Sequence, residues 1–296
     1  MNTVTSIAPP LHTPTRATGS MGDILVATGR LQSDDLKRIL ESQKQNKIPF
    51  GEAAIALKLL TKEDIDFALS QQFGYSYLAG ADLSLSPELI AAYKPFSRVG
   101  ENLRAVRSQL MLRWFNSESA HKVLAVVSPG AGEGRSFIAA NLAIVFAQQG
   151  QRTLLIDADL RAKPERSQQA LFKLGNSAGL SGILAARASI ETTQLVPGLP
   201  GLIVLAAGAV PPNPQELLGR AEFGQLLQTA SEQFDVILID TPCGSTYADA
   251  EIIASRAGAA VMVARQNQTL LPQATALAQR LQDGGVALIG SVLNDA

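Results

Sequence analysis

The chain has 296 residues, of which 46% are hydrophobic, and its 25 basic side chains nearly balance 26 acidic ones, for a formal net charge of -1. This length allows one large core plus a smaller unit, and the near-neutral balance argues against a general nucleic-acid binder and a polybasic membrane anchor. The single cysteine, Cys243, excludes an internal disulfide framework and fits a reducing compartment. No run reaches the roughly 18 apolar residues of a membrane-spanning helix, so we expect a cytoplasmic protein.

The chain divides into four predicted segments. The first 19 residues carry three prolines among Thr, Ser and Ala and lack the basic start and apolar core of a signal peptide, which predicts a mobile tail. We expect a two-repeat domain at 20–78, a linker at 79–96 and a larger domain at 97–296.

An internal repeat organises the first domain. Residues 20–43 and 49–72 each read as a short apolar helix, a tight turn, a Ser or Thr able to cap, and a second helix with apolar residues four apart. Two such units can bury each other's apolar faces. The aligned pairs are Gly22 and Gly51, Val26 and Ile55, Leu31 and Leu60, Ser33 and Thr61 to within one position, Leu36 and Ile65, Leu40 and Leu69, and Gln43 and Gln72.

This repeat resembles the MshEN-type N-terminal domain of type II secretion and pilus ATPases, in which a five-residue spacer separates two 24-residue motifs. Some members of that family bind cyclic di-GMP through an Arg at the first position of each motif. Ser20 and Pro49 occupy those positions here, so the planar, permanently charged guanidiniums are absent. Cyclic di-GMP binding, protein docking and a purely structural role stay open for this domain.

A helix is predicted to open near Ser97. It contains Glu101, Arg104 and Arg107, and the first two are helical neighbours three residues apart. On spacing alone, this pair is equally compatible with a surface ion pair and with an interface.

From residue 123 onward, apolar strand-like runs alternate with helical patterns. Continuous apolar strands separated by helices predict an α/β fold, a P-loop NTPase-like parallel sheet sandwiched by helices, and ligands in such sheets bind at the carboxyl ends of the strands. The runs are 123–127, 153–156, 202–205, 236–239, 259–263 and 286–293.

A glycine-rich stretch at 128–136 follows the first of these strands and enters a helix. Such a loop leaves backbone N–H groups unpaired and aimed at one point, which predicts a phosphate cradle. The P-loop pattern ends in Gly-Lys-Ser/Thr, whereas this loop ends in Gly134-Arg135-Ser136, and Pro129 stands at the opening glycine. On this match alone, a glycine-rich surface turn is also possible.

Two predicted strands end in acids, Asp157 and Asp240, which would lie at the sheet edge beside the loop. An unpaired carboxylate there is costly, and a magnesium nucleotide supplies the cation, since Mg²⁺ prefers carboxylate, hydroxyl and phosphate oxygens. Asp240 has the Walker B position, and Ser136 would complete the protein side of the metal site. The alternative is that both acids cap the helices that follow.

With these motifs in place, residues 94–296 resemble the bacterial tyrosine kinases of polysaccharide loci, of the chain length determinant type, which are relatives of the MinD and ParA ATPases. Gly130 stands where the MinD and ParA branch has its signature lysine, so that branch's dimer mechanism is not expected. The matching residues are the loop 132–136 with 141–143, Asp157-x-Asp159-x-Arg161, 211–218, 240–242, 249–250 and 290–294, together with Glu101, Arg104 and Arg107, which in the family form a ring interface.

The resemblance implies ATP- and Mg²⁺-dependent transfer of a phosphoryl group to tyrosine, in a homo-oligomer that works with a membrane-embedded polysaccharide co-polymerase. It places the protein in the cytoplasm, peripheral at the inner membrane through that partner. In this reading Asp157 orients or deprotonates the attacking hydroxyl, Asp159 assists through metal or water, Arg135 contacts the outer phosphates, and Ser136, Asp240 and Asp157 hold the metal. The nucleotide-binding set is Gly130, Gly132, Glu133, Gly134, Arg135, Ser136 and Phe137.

Two departures from the family pattern keep the alternatives open. Arg135 replaces the lysine, and the four tyrosines, Tyr75, Tyr77, Tyr93 and Tyr247, do not form the family's C-terminal cluster, so phosphorylation of a C-terminal tail is not expected. An active kinase or ATPase, a nucleotide-dependent switch with little turnover, and a cyclic di-GMP-gated ATPase therefore remain as hypotheses.

Overall fold

The computed structural model describes residues 19–73, 78, 84–115 and 121–295, and the predicted tail, Tyr75 and Tyr77 lie outside them. The helices are α1 Met21–Ala27, α2 Ser33–Asn46, α3 Phe50–Ala56, α4 Lys62–Phe73, α5 Ile90–Tyr93, α6 Arg98–Arg113, α7 Arg135–Gln148, α8 Gln168–Leu171, α9 Gly179–Leu184, α10 Pro214–Gly219, α11 Ala221–Gln233, α12 Asp249–Ala257 and α13 Leu271–Asp283, with 3₁₀ turns at Pro164–Arg166 and Ile190–Thr192. The strands are β1 Val123–Val127, β2 Thr153–Asp157, β3 Gln194–Leu195, β4 Leu202–Leu205, β5 Val236–Asp240, β6 Ala259–Arg265 and β7 Ala287–Asn294.

The two repeats form two pairs of helices, α1 with α2 and α3 with α4, that share a small apolar core. The aligned glycines occupy equivalent places: a Cβ on Gly22 would lie 2.4 Å from Leu36 Cδ1, and one on Gly51 would lie 3.2 Å from Ile65 Cγ2. Each short helix therefore needs its glycine so that the longer helix can approach. Contacts between α1 and α4, and between α2 and α3, join the copies.

Capping in this unit differs from the sequence expectation at one position. Thr61 caps α4, because its hydroxyl accepts from Asp64 N (3.2 Å) while Asp64 Oδ2 accepts from Thr61 N (3.0 Å). Ser33 does not cap α2, since the helix already begins at Ser33 and the preceding Gln32 makes no side-chain cap. Ser20, at the first repeat position, caps α1 by accepting from Asp23 N.

The larger unit is a seven-stranded sheet in the order β3-β4-β2-β5-β1-β6-β7. The six strands expected from the sequence are all present and run parallel to one another. Their apolar side chains alternate between two cores, one on each face, as helices on both sides require. No sequence pattern predicted the seventh strand, β3. It has only two residues and pairs antiparallel with β4 at the edge.

The segment before α6 packs on the helix that follows the glycine-rich loop. Within 84–96, the main-chain N–H of Ala91 donates to Asn141 Oδ1 (2.9 Å), and Gln148 Nε2 donates to the Ala91 carbonyl (2.9 Å). Asn141 Nδ2 also donates to the Glu88 carbonyl (3.2 Å). Asn141 is fully buried, and its Oδ1 satisfies the buried main-chain N–H of Ala91.

The predicted helix start at Ser97 is confirmed. Ser97 is the N-cap of α6, and its hydroxyl accepts from Gly100 N (3.1 Å). Gly100 approaches the preceding turn so closely that a Cβ there would lie 2.2 Å from the Pro95 carbonyl oxygen. Among the residues that the structure describes, no helix has the length and apolarity needed to cross a bilayer.

Candidate nucleotide site

The glycine-rich loop joins β1 to α7 at the carboxyl edge of the sheet. Gly132 and Gly134 have φ of +74° and +90°, a left-handed conformation that favours glycine. A Cβ on Gly134 would also lie 2.2 Å from Asn294 Nδ2, so glycine is required there on two grounds. Gly134 is the N-cap of α7 and supplies no side chain, which leaves the first main-chain N–H groups of the helix without a side-chain cap.

A buried glutamate holds the loop in shape. Glu133 is 2% exposed; its Oε2 accepts from Gly130 N (2.8 Å), and its Oε1 accepts from the Thr269 hydroxyl. Gly130 belongs to the predicted nucleotide-binding set, but its main-chain N–H is used within the loop. Phe137, from the same predicted set, lies on α7 and packs against the hydrophobic core.

Three side chains from the last two strands and their connection also tether the loop. Gln268 Nε2 donates to the Ala131 carbonyl (3.2 Å), Arg265 Nη1 donates to the Gly132 carbonyl (3.1 Å), and Asn294 Nδ2 donates to the Glu133 carbonyl (3.1 Å). These bonds use loop carbonyls and leave N–H groups of the loop for an anionic ligand.

The two strand-end acids lie side by side. Asp157 and Asp240 are register partners on the adjacent parallel strands β2 and β5, and each is 1% exposed. Asp157 accepts from the main-chain N–H of Gln168 (2.8 Å) and of Asp159 (3.2 Å). The Ser136 hydroxyl hydrogen-bonds Asp240. The structure thus brings the loop hydroxyl and the carboxylate at the end of β5 together.

Burial dominates the electrostatics of this pair. It raises the pKa of Asp157 well above the ordinary value, and repulsion from Asp240 raises it further. Burial also raises the pKa of Asp240, although the nearby Arg135 guanidinium and the hydrogen bonds from Gln168 and Ser136 oppose that rise. Both carboxylates are therefore in an environment that favours a cation nearby.

Arg135 supplies a cation at this place. Its Nη1 donates to Ser128 Oγ (2.7 Å), its Nη2 donates to Asp159 Oδ2 (3.3 Å), and its Nε lies 3.4 Å from Asp240 Oδ1. The arginine side chain is 10% exposed and that of Asp159 is 16% exposed. The guanidinium therefore lies between the loop and the strand-end acids.

Sequence reasoning missed Gln168, the first residue of α8. Besides its main-chain bond to Asp157, its Nε2 donates to Asp240 Oδ2 (2.7 Å) and to the Ser136 carbonyl (3.1 Å). One fully buried residue thus joins both acidic strands and the loop helix, reaching β2 through its main-chain N–H and β5 and α7 through its side-chain amide. The available signal was Ser167, a good N-cap whose hydroxyl accepts from Ala170 N (3.2 Å) and thereby fixes where the helix starts.

Arg161 and Asp249, two further residues of the predicted motifs, form an ion pair. Arg161 Nε donates to Asp249 Oδ2 (2.7 Å), and its guanidinium lies 4.0 Å from the centre of the Tyr247 ring. Asp249 is fully buried, so this pair joins the loop after β2 to the start of α12.

The three predicted interface residues lie on α6. Arg104 pairs with Glu101 and donates to the Pro95 carbonyl (2.7 Å), while Arg107 donates to the Val145 carbonyl on α7 (2.9 Å). The Glu101 side chain is 65% exposed. Both arginines thus have contacts within the chain, and the glutamate faces solvent.

A magnesium nucleotide fits these residues. Within the described ranges of the chain, no three His, Cys, Asp or Glu side chains form a metal cluster, so a divalent ion here needs phosphate oxygens as further ligands. Asp240 Oδ1 is buried and accepts no hydrogen bond, and the Ser136 hydroxyl lies beside the same carboxylate. One carboxylate, one hydroxyl and a glycine-rich cradle are the groups that a P-loop contributes.

Comparison with known proteins agrees with this geometry. Residues 124–295 match the CobQ/CobB/MinD/ParA nucleotide binding domain. The tyrosine-protein kinase YwqD of Bacillus subtilis is 35% identical over 206 residues, which are 70% of this chain and 85% of that protein. The tyrosine-protein kinase etk of Escherichia coli is 33% identical over 205 residues, which are 69% of this chain and 28% of that protein.

A solved structure points to the same family. The kinase domain of the Escherichia coli tyrosine kinase ETK superposes with a TM-score of 0.67 at 32% identity, covering 73% of this chain and 82% of that one. The MshEN-like resemblance of the N-terminal repeats stays a prediction. The chain belongs to the CobQ/CobB/MinD/ParA nucleotide-binding family and, within it, to the bacterial tyrosine-protein kinases.

Proposed function

We propose that this chain binds ATP with Mg²⁺ at the glycine-rich loop and transfers the terminal phosphoryl group to a tyrosine of a protein substrate. The observation that carries the proposal is the convergence of the loop hydroxyl of Ser136 with the strand-end acids Asp157 and Asp240 at one sheet edge. The relatives' names, tyrosine-protein kinases, support the same reaction.

Each part of the site has a role in this proposal. Main-chain N–H groups of 132–136 hold the phosphates, and Ser136 and Asp240 hold the metal, with Asp157 beside them. Bound Mg²⁺ would neutralise the charge on the transferring phosphoryl group, and such transfer depends mostly on positioning and charge neutralisation. Asp157 orients or deprotonates the attacking hydroxyl, and its raised pKa favours a base function nearer neutral pH. Asp159, the more exposed acid, assists at the rim.

Labelled ATP tests the reaction. Purified full-length chain is incubated with ATP labelled at the terminal phosphate, with and without the cytoplasmic part of the co-polymerase, and protein-bound label is counted. We expect label with the wild type and its loss in Asp157→Asn. The matched control is Asp235→Asn, which makes the same change at the opposite end of the same strand pair, where Asp235 binds Arg152 (2.6 Å). Equal label in the wild type and both variants would contradict the assigned role of Asp157.

A second candidate, a nucleotide-dependent switch with little turnover, is favoured by one observation. Arg135, at the lysine position of the P-loop, is held by Ser128 and Asp159 rather than directed to solvent. Nucleotide binding without any protein-bound label, even with the co-polymerase present, would support the switch over the kinase.

We further propose that the chain acts in exopolysaccharide chain-length control, as an oligomer docked on a membrane-embedded co-polymerase at the inner membrane. The exposed Glu101 on α6 supports a contact with a neighbouring copy. Light scattering of the wild type and of Glu101→Lys measures this: we expect an oligomer for the wild type and a smaller species for the variant, and identical masses would contradict an interface at Glu101.

A further inference from the structure

The arginine at the P-loop lysine position contacts groups that a lysine could not reach together. Its Nη1, Nη2 and Nε face Ser128 Oγ (2.7 Å), Asp159 Oδ2 (3.3 Å) and Asp240 Oδ1 (3.4 Å), respectively. A guanidinium is planar and presents donors in several directions, whereas an ammonium concentrates its donors at one atom on a flexible stem. The three-way contact therefore depends on arginine.

The same contact connects the loop to the acids. Ser128 Oγ accepts from Arg135 and itself donates to the Gly130 carbonyl (2.9 Å). Arg135 is thus bound to the start of the loop on one side and to the carboxylates on the other, with only 10% of its side chain exposed. A side chain held at several points is in place before any ligand arrives.

The position of Arg135 places a positive charge beside a group of carboxylates. Asp157, Asp159 and Asp240 gather at one edge, and Arg135 contacts two of them. The free oxygen of Asp240, Oδ1, is the one that faces Arg135 Nε, and neither atom has a hydrogen bond. A guanidinium is charged at every physiological pH, so it supplies one permanent positive charge beside these acids.

We propose that Arg135 is a resident cation of the nucleotide site, which supplies at Asp159 and Asp240 the positive charge that a divalent metal would otherwise bring, so that nucleotide binding depends little on Mg²⁺. This inference rests on the proposed nucleotide site and concerns binding, not turnover.

Calorimetric titration of the full chain with the non-hydrolysable ATP analogue AMP-PNP, in EDTA and in Mg²⁺, tests the proposal. We expect the wild-type dissociation constant to differ by less than about threefold between the two buffers. In Arg135→Lys we expect it to rise at least about tenfold in EDTA, because one ammonium cannot contact both acids. The matched control is Arg152→Lys, the same exchange at the opposite end of β2, where Arg152 binds Asp235; it should behave as the wild type.

A wild-type affinity that falls tenfold or more in EDTA would overturn the inference, and so would equal metal dependence in the wild type and Arg135→Lys. Circular dichroism reports whether the variant folds. If it does not, the two wild-type titrations, in EDTA and in Mg²⁺, still decide whether nucleotide binding depends on the metal. Absence of AMP-PNP binding by the wild type in Mg²⁺ would instead contradict the proposed function itself.

Discussion

Replacing Gln168 by methionine should destabilise the larger domain by about 3 kcal/mol, because methionine keeps the length of the side chain and removes its donor. Gln168 Nε2 donates to Asp240 Oδ2 (2.7 Å) and to the Ser136 carbonyl (3.1 Å), and both acceptors would lose this donor. A hydrogen bond to a charged group contributes about 1.5–3 kcal/mol, and an orphaned buried acceptor costs about 1–3 kcal/mol. Loss of the glutamine Oε1, which is buried without a partner, offsets about 1 kcal/mol of this.

The neighbouring residue provides the control. Gln169→Met makes the same change one position along α8, where the amide bonds the exposed Asn176 (2.9 Å), and should cost less than about 0.5 kcal/mol. Thermal unfolding followed by circular dichroism measures both variants, and about 3 kcal/mol corresponds to a fall in melting temperature of roughly 6–12 °C for a domain of this size. Equal melting temperatures for the two variants would refute the reasoning that Gln168 joins the loop and the acid strands.

Three further predictions concern stability. Burial raises the folded-state pKa of Asp157, so the stability that its protonated form contributes below the ordinary pKa of 3.8 is lost as the pH rises through the folded-state pKa. Asp157→Asn should therefore reduce the fall of the unfolding free energy with pH, measured by denaturant titration at a series of pH values. An equal fall in the wild type and the variant would contradict this. Asn141→Leu should lower the free energy of unfolding by about 2 kcal/mol in urea titrations, because it leaves the buried N–H of Ala91 without a partner; a loss below about 1 kcal/mol would count against this. Gly100→Ala should lower the free energy of unfolding by about 2–3 kcal/mol, because the added Cβ would clash with the Pro95 carbonyl. The control Gly219→Ala, whose Cβ would have no neighbouring atom within 4 Å, should not destabilise the protein, and similar urea midpoints for the two variants would argue against the clash.

Local patterns were enough to predict much of the architecture. The six apolar runs became the six parallel strands, and Ser97 caps α6 as expected. The repeat alignment predicted the equivalence of Gly22 with Gly51, which the packing of the two helix pairs repeats. These features depend on side-chain periodicity, glycine conformation and capping, which act over a few residues. The two-residue strand β3 has no such local signal and forms only because β4 offers an open edge.

In the candidate site, too, some features follow from local sequence patterns and others depend on contacts between distant residues. The sequence predicts that the glycine-rich loop and the acids Asp157 and Asp240 lie at one edge, because parallel strands bring their carboxyl ends together, and the structure has the two acids as register partners there. The role of Gln168 could not be foreseen, since its partners Ser136 and Asp240 lie 32 and 72 residues away. The support of the loop by Asn294 could not be foreseen either, because Asn294 is 161 residues from its acceptor, the Glu133 carbonyl.

Arg135, which stands where a P-loop usually has a lysine, is also understood partly from the sequence and partly from the tertiary structure. The sequence by itself determined that a permanent cation follows Gly134 in a phosphate cradle beside two acid-ended strands. Only the tertiary structure decided where that cation goes: the guanidinium of Arg135 contacts Ser128 and Asp159 and faces Asp240. The reason is that a buried charge takes the partners that the strand order brings within a few ångströms, and strand order is set by packing of the whole sheet rather than by neighbours in the chain.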